Sequence, residues 1–289
     1  MRSLKLIIIC GIALPLFSCN NSQNSSAAAQ GPVKISDQGV TIAYSDTGKG
    51  DTTLLFVHGW GINGSYWSNQ VGFFSKRYRV ITIDLPGFGE SGKNRTVWNT
   101  DAYGKDMDSV ITQLNLKNVV VVGHSMAGHI ILQAAINEPG KVIGMVGVDN
   151  FKDVGHVETP EDKKGYAVAM NELKHHFKQF ATQWFNQQLF YKTTADTIKK
   201  RILNDVTKAD SVIAVAAIDD DGFDEAKKLV ASKKKLYLIN SDYTPTDTTG
   251  LKKNHIPFQV YYIHATGHFP MVEKPKKFNE ALTTVLAKL

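Results

Sequence analysis

The chain has 289 residues, a formal net charge of +6 and 43% hydrophobic residues, which is ordinary for a soluble globular protein. This length is sufficient for one large α/β domain or two small ones. The basic residues are scattered, and the densest run, Lys233 to Lys235, has neither interleaved aromatic residues nor a binding motif. The charge pattern therefore argues against a nucleic-acid partner.

The first 18 residues are typical of a secretory signal peptide. Arg2 and Lys5 precede an apolar run over residues 6–17, which is too short to span a bilayer. The segment LFSC, residues 16–19, overlaps the end of this run and resembles a bacterial lipobox with Cys19 at the cleavage site. The resemblance implies an exported bacterial lipoprotein with diacylglycerol on Cys19, anchored to a cell membrane and facing the periplasm or the exterior. The alternative is an ordinary signal peptide that contains a cysteine.

The remaining chain divides by composition and periodicity. Residues 19–33 are small and polar, which predicts a flexible tether. Strand and helix patterns alternate over 34–150 and again over 233–289, which predicts an α/β core with a mainly parallel sheet and helices on both faces. Residues 151–232 are polar and aromatic-bearing with almost no strand pattern, so we expect a helical lid inserted into the core.

The individual elements follow in chain order. The patterns predict strands at 39–44, 52–59, 78–87, 118–123, 141–150, 234–242 and 258–268. Helices are predicted at about 66–76, 101–116 and 126–137 and from residue 275 onward.

The stretch VVVVGHSMAGH, residues 119–129, combines a buried-strand pattern with a serine. Gly123 and Ala127 flank Ser125 where a tight strand-to-helix turn needs small residues, and such a turn raises the hydroxyl above the end of the sheet. A structural turn built from convenient small residues is the alternative. Ser125 is a candidate nucleophile only if the chain also supplies a base, an acid and an oxyanion site.

Other segments supply candidates for these roles. The sequence HGW at 58–60 closes a predicted strand, and we expect the backbone N–H groups of Trp60 and Met126 to form an oxyanion hole. His268 follows the last predicted strand and is the candidate general base. His264, four residues earlier, is the alternative base.

Four motifs together resemble the α/β-hydrolase superfamily in order and spacing: HGW, DLPGFGESG, GHSMAGH and GHFPMVEKP. The resemblance covers about residues 34–150 and 233–289. It implies the α/β-hydrolase fold, with an eight-stranded, mainly parallel sheet, and a triad that includes Ser125 and His268. A serine nucleophile distinguishes the chain from epoxide hydrolases and haloalkane dehalogenases, which look similar and carry aspartate there.

The triad acid has more than one candidate. The superfamily usually places it after the strand that here ends LYLINSD, in a Gly-x-x-Asp pattern whose glycine is absent in this chain. Asp242 is the first choice on this basis. Asp149 is the alternative, because some relatives take the acid from the preceding strand, and Asp247 is a third.

These assignments predict a serine hydrolase that cleaves a carboxylic ester or a related acyl compound through an acyl-enzyme on Ser125. The expected partner is a small-molecule acyl substrate, with no cofactor and no metal. Amide or carbon–carbon bond hydrolysis and cofactor-free perhydrolysis stay open, as does action on lipids of the membrane to which the chain is tied. A member of the fold that binds a ligand without catalysis is the alternative from another class. The sequence leaves the oligomeric state open.

Overall fold

The computed structural model describes residues 33–37, 39–219 and 222–289. The predicted signal peptide, Cys19 and most of the predicted tether lie outside these residues, so they stay predictions. Incorporation of labelled palmitate that is lost in Cys19→Ser would test them. Within the described ranges, no helix is both long and apolar enough to cross a bilayer.

An eight-stranded sheet forms the centre of the protein. Its strands are β1 (Val33–Asp37), β2 (Val40–Asp46), β3 (Thr53–Val57), β4 (Arg79–Ile83), β5 (Val119–His124), β6 (Val142–Val148), β7 (Leu236–Ser241) and β8 (Phe258–Ile263). Their spatial order is β1-β2-β4-β3-β5-β6-β7-β8. β2 pairs antiparallel with β1 and β4, and the other neighbours are parallel. The predicted mainly parallel sheet of eight strands is confirmed.

The central strands are apolar along their whole length because helices cover both faces of the sheet. Every residue of β3 and β5 is buried. A parallel strand buried on both faces reads as a continuous run of β-branched residues, and the four valines from Val119 to Val122 follow this rule. These strands form the rigid layer that positions the loops at their carboxyl ends.

Ten α-helices surround the sheet in the described part of the chain. They are α1 (Ser68–Phe74), α2 (Thr100–Gln113), α3 (Ala127–Asn137), α4 (Pro160–Trp184), α5 (Asp196–Lys208), α6 (Ser211–Ala217), α7 (Glu225–Ser232), α8 (Thr249–Lys253), α9 (Pro270–Glu273) and α10 (Pro275–Leu286). A 3₁₀-helix (Gly64–Trp67) precedes α1, and a π-helical turn (Phe185–Leu189) follows α4. Helices α4 to α7 lie between β6 and β7, where the sequence predicts a helical insertion. We refer to residues 151–232 as the lid.

The turn between β5 and α3 brings two backbone segments unusually close together. Ser125 has a φ of +54°, a left-handed conformation that is rare for a residue other than glycine. A Cβ atom at Gly123 would lie 2.6 Å from the carbonyl oxygen of Ala127 and 2.8 Å from a side-chain carbon of Ile131. Glycine at position 123 therefore allows α3 to begin directly beside the end of β5.

We expect Gly123→Ala to lower the free energy of unfolding by about 1–3 kcal/mol, because the new methyl group overlaps the first turn of α3. Gly72→Ala is the matched control, since a Cβ at this helical position would meet no atom within 4 Å. Alanine there should raise stability by about 0.5–1 kcal/mol. Urea unfolding of both variants measures the difference, and the same sign for both would contradict this account of the turn.

Candidate active site

Three of the predicted site residues follow the carboxyl ends of parallel strands. Ser125 comes directly after β5, Asp149 directly after β6, and His268 lies in the loop that follows β8. The carboxyl ends of parallel strands meet at one edge of the sheet, which is where α/β proteins build their sites. The fold therefore brings these three residues to the same edge.

Asp149 and His268 form a direct, mostly buried pair. The Nδ1 atom of His268 lies 2.7 Å from Oδ2 of Asp149, and the two side chains are 17% and 5% exposed. An ionised carboxylate can only accept hydrogen bonds, so the proton of a neutral His268 ring resides on Nδ1. This leaves Nε2 with a lone pair that can accept a proton.

The second oxygen of Asp149 accepts from three further donors. Its Oδ1 atom lies 2.7 Å from the backbone nitrogen of Ser241, 2.8 Å from the Ser241 hydroxyl and 2.8 Å from Nζ of Lys152. Burial alone would raise the pKa of Asp149, but the hydrogen bonds and positive charges of His268 and Lys152 hold it well below its usual range. Asp149 is therefore ionised near neutral pH.

The structure corrects the preference for Asp242 as the partner of His268. Asp242 instead accepts from Nδ1 of His264 at 2.7 Å, in a pair whose side chains are 42% and 75% exposed. The reason is geometric: β7 ends at Ser241, whose N–H and hydroxyl face Asp149, and Asp242 lies one residue beyond it at the surface. Asp247, the third candidate, is exposed and accepts from the backbone of Thr249.

The loop that carries His268 is joined to the serine turn through His124. Its Nε2 atom donates to the carbonyl oxygen of His268 at 2.7 Å, and the two rings lie 4.7 Å apart. Burial and the charge of His268 lower the pKa of His124 to about 3, so it is neutral near pH 7. A neutral donor next to Ser125 therefore positions the base loop without placing a competing charge there.

The segment at 58–60 also lies against the serine turn. A Cβ at Gly59 would come within 2.5 Å of Nδ1 of His124 and 3.1 Å of Cβ of Ser125. His58 is fully buried, and its ring bonds the backbone of Gly59 and Leu85. Its role is to support the loop.

The backbone N–H groups of Trp60 and Met126 are available at this edge. Neither N–H donates a hydrogen bond to any atom in the described part of the chain. Met126 directly follows Ser125, and Trp60 follows the glycine that touches the serine turn. Both N–H groups can therefore donate to an oxygen bound near Ser125.

Sequence reasoning missed Asn150. Its side-chain amide donates to the carbonyl oxygens of Gly123 at 2.9 Å and Ser125 at 3.1 Å. The amide of Asn240 in turn donates to the backbone oxygen of Asn150 at 3.0 Å. These hydrogen bonds stabilise the strained serine turn. Nothing in the local sequence pattern distinguishes Asn150 from an ordinary loop residue.

Aromatic residues of the lid cover the Trp60 ring. The rings of Phe177, Trp184 and Phe185 lie 5.6, 5.6 and 5.9 Å from it, and its indole N–H donates to the carbonyl oxygen of Ala214. A cavity of about 310 Å³ opens nearby. Its lining includes Met126, His129, Ile130, Tyr166 and Phe223. Met126, the neighbour of Ser125, therefore lines this mixed apolar and polar cavity, whereas Ser125 and His268 do not.

The lid segment between α4 and α5 is bonded to the loop that carries His268. The N–H of His268 donates to the carbonyl oxygen of Leu189 at 2.8 Å. Glu273 accepts from the N–H of Gly267 at 2.9 Å and from the hydroxyl of Thr194 at 2.6 Å. The position of His268 therefore depends on residues of the lid as well as of the core.

No group of three or more His, Cys, Asp or Glu side chains with metal-binding geometry occurs within residues 33–37, 39–219 and 222–289. The chemistry that the described residues provide is that of a hydroxyl, an imidazole held by a carboxylate, and two free backbone N–H groups.

Comparisons with known proteins agree with this arrangement at the level of the family. The family model for the alpha/beta hydrolase fold matches residues 52–196, half of the chain. A non-heme chloroperoxidase of Streptomyces lividans is 38% identical over 115 residues, which are 39% of this chain and 41% of that protein. The aligned segments span less than half the length of the curated relatives that match.

Two solved structures show the same fold. A thermophilic esterase from Thermogutta terrifontis aligns with a TM-score of 0.75 and 23% identity, over 89% of this chain and 98% of the other. A bromoperoxidase from Bacillus anthracis aligns with a TM-score of 0.77 and 23% identity, over 89% and 99%. With the eight-stranded sheet and the serine turn, the family-model match shows that this chain belongs to the alpha/beta hydrolase fold family.

Proposed function

We propose that the protein is a serine hydrolase that cleaves a carboxylic ester, with Ser125 as nucleophile, His268 as general base and Asp149 as the triad acid. The observation that carries this proposal is the hydrogen bond from Nδ1 of His268 to Asp149, because it directs the lone pair of Nε2 away from the acid. Only this tautomer leaves Nε2 able to accept the proton of the Ser125 hydroxyl while Nδ1 donates to Asp149.

The reaction proceeds in two halves. His268 takes the proton of the Ser125 hydroxyl as its oxygen attacks the carbonyl carbon, and the N–H groups of Trp60 and Met126 stabilise the resulting oxyanion. His268 then donates the proton to the leaving alcohol, which leaves an acyl group on Ser125. Water, activated by the same imidazole, releases the acid and restores the serine.

The pocket supports a small or medium-sized acyl substrate. A volume of about 310 Å³ is at the lower end of the range for small-molecule sites. The side chains of Met126, Ile130 and Phe223 in its lining favour an apolar acyl or alcohol group. We therefore propose short-chain and medium-chain esters, rather than membrane lipids, as the substrate class.

We expect a fluorophosphonate probe to label the wild-type protein on Ser125, and we expect p-nitrophenyl acetate to be hydrolysed. Ser125→Ala should lose the label and lower kcat by at least roughly 10³-fold, because the nucleophile is absent. Comparison with p-nitrophenyl octanoate and longer esters measures the chain-length preference. A folded wild type that neither labels nor turns over these esters would falsify the hydrolase proposal and favour a ligand-binding role.

The two acidic candidates give opposite expectations. Asp149→Asn should lower kcat by roughly 10³- to 10⁴-fold, because the amide cannot hold the productive tautomer of His268. Asp242→Asn, at an exposed position, should leave kcat within about twofold of wild type. Steady-state kinetics on p-nitrophenyl acetate, with circular dichroism as the control for folding, measures both. The assignment of Asp149 fails if Asp242→Asn is the more damaging change.

A second candidate function is cofactor-free perhydrolysis. It is favoured by the relatives named as non-heme chloroperoxidases and by the fold shared with a bromoperoxidase. In this reaction hydrogen peroxide replaces water: one peroxide oxygen bonds to the acyl carbon, the bond to Ser125 breaks, and a peracid leaves. We expect peracid formation from p-nitrophenyl acetate and peroxide to disappear in Ser125→Ala. Hydrolysis without detectable peracid would exclude this candidate.

A further inference from the structure

Lys152 makes an unusual contact for a residue outside the proposed triad. Its Nζ atom lies 2.8 Å from Oδ1 of Asp149, and its side chain is only 18% exposed. The same ammonium donates to the carbonyl oxygens of Ser241 at 2.9 Å and Thr244 at 2.6 Å. Lys152 therefore connects the acid to the loop that follows β7.

Asp149 does not need Lys152 to satisfy its hydrogen-bonding capacity. Three other donors already reach the carboxylate: the ring of His268 and the N–H and hydroxyl of Ser241. The Ser241 donors are neutral. The specific contribution of Lys152 is a full positive charge at close range to a carboxylate that also faces the base.

We propose that Lys152 is a positioning residue that cancels part of the charge of Asp149 and so sets the lower limit of the pH range in which His268 acts as a base. This inference rests on the proposed hydrolase function. The lysine also holds the loop after β7 in place, at the position where the superfamily usually carries the acid.

The direction of the effect follows from electrostatics. A carboxylate beside an imidazole favours the protonated, inactive form of the base, and a nearby ammonium opposes this.

Other titratable groups also act on the pair. His124, on β5, contacts the His268 ring and is neutral, and His58, on β3, is fully buried with a lowered pKa. Glu273, on α9, interacts with Asp149, and burial raises its pKa. Asp242, after β7, is exposed and paired with His264. Lys152 is therefore the permanent cation that contacts the acid within the described part of the chain.

The test is the pH profile of kcat/KM for p-nitrophenyl acetate, with the rate of fluorophosphonate labelling as a second readout. The acid limb of this profile is its low-pH side, on which kcat/KM rises with pH. In Lys152→Met, the acid limb should move to higher pH by about 0.5–1 unit, because the imidazolium is no longer opposed by the ammonium. At a pH below the limb, the variant should be about three- to tenfold slower relative to its own plateau. Lys152→Arg retains the charge and should restore the wild-type limb.

Lys141→Met is the matched control. Lys141 pairs with Glu138 at the same i,i+3 spacing as Lys152 with Asp149 and precedes the opposite end of β6. Its acid limb should coincide with that of the wild type. Thermal unfolding of all variants separates loss of stability from a change in titration.

Two outcomes would overturn the inference. If Lys152→Met unfolds at a lower temperature but keeps the wild-type acid limb, the lysine is a structural tether and nothing more. If the limb moves equally in Lys152→Arg, the shift is caused by altered geometry rather than by charge. In both cases Ser125 labelling in the wild type would still support the hydrolase proposal, so the two proposals fail separately.

Discussion

The arrangement of the site depends on the hydrogen bonds and charges that stabilise the buried carboxylate of Asp149. An ion that is 5% exposed is costly unless hydrogen bonds and charges replace its water. The replacement comes from three places in the chain: the loop after β6, the end of β7 and the loop after β8. Satisfying this one charge therefore fixes the relative positions of three adjacent strand ends, and with them the base. Removal of any donor leaves part of the desolvation cost unmatched.

The serine turn depends on a different constraint, which is close backbone approach. The left-handed Ser125 is stable only because Gly123 admits the first turn of α3 and because Asn150 bonds the two carbonyl oxygens around the bend. Asn150 directly follows Asp149. Two consecutive residues after β6 therefore support both halves of the site: the Asp149 carboxylate holds the His268 ring, and the Asn150 amide holds the serine turn. This adjacency explains how a local strain and a buried charge are supported by one short loop.

The sequence predicted the fold and singled out Ser125 and His268, which lie in strong motifs. Apolar runs, glycines and chain order are signals that can be read locally. It ranked Asp242 above Asp149 as the partner of His268, and the structure pairs His268 with Asp149. The preference for Asp242 relied on the position that is usual in the superfamily. Which aspartate pairs with His268 depends on where β7 ends and on which groups face Asp149. Both are properties of the folded sheet. Asn150, Lys152 and Ser241 escaped notice for the same reason. Each is an ordinary polar residue whose role exists only through contacts with residues up to 92 positions away in the chain.

The bond between the N–H of His268 and the carbonyl oxygen of Leu189 gives the lid a second role. A lid that only shaped the pocket could be exchanged between relatives as an independent module. Here the segment between α4 and α5 helps to hold His268 in place, so a change in its length would displace the His268 ring as well as reshape the pocket. Differences in substrate preference among relatives are therefore expected to be concentrated in lid residues outside the segment from Leu189 to Thr194, and this segment is expected to vary least.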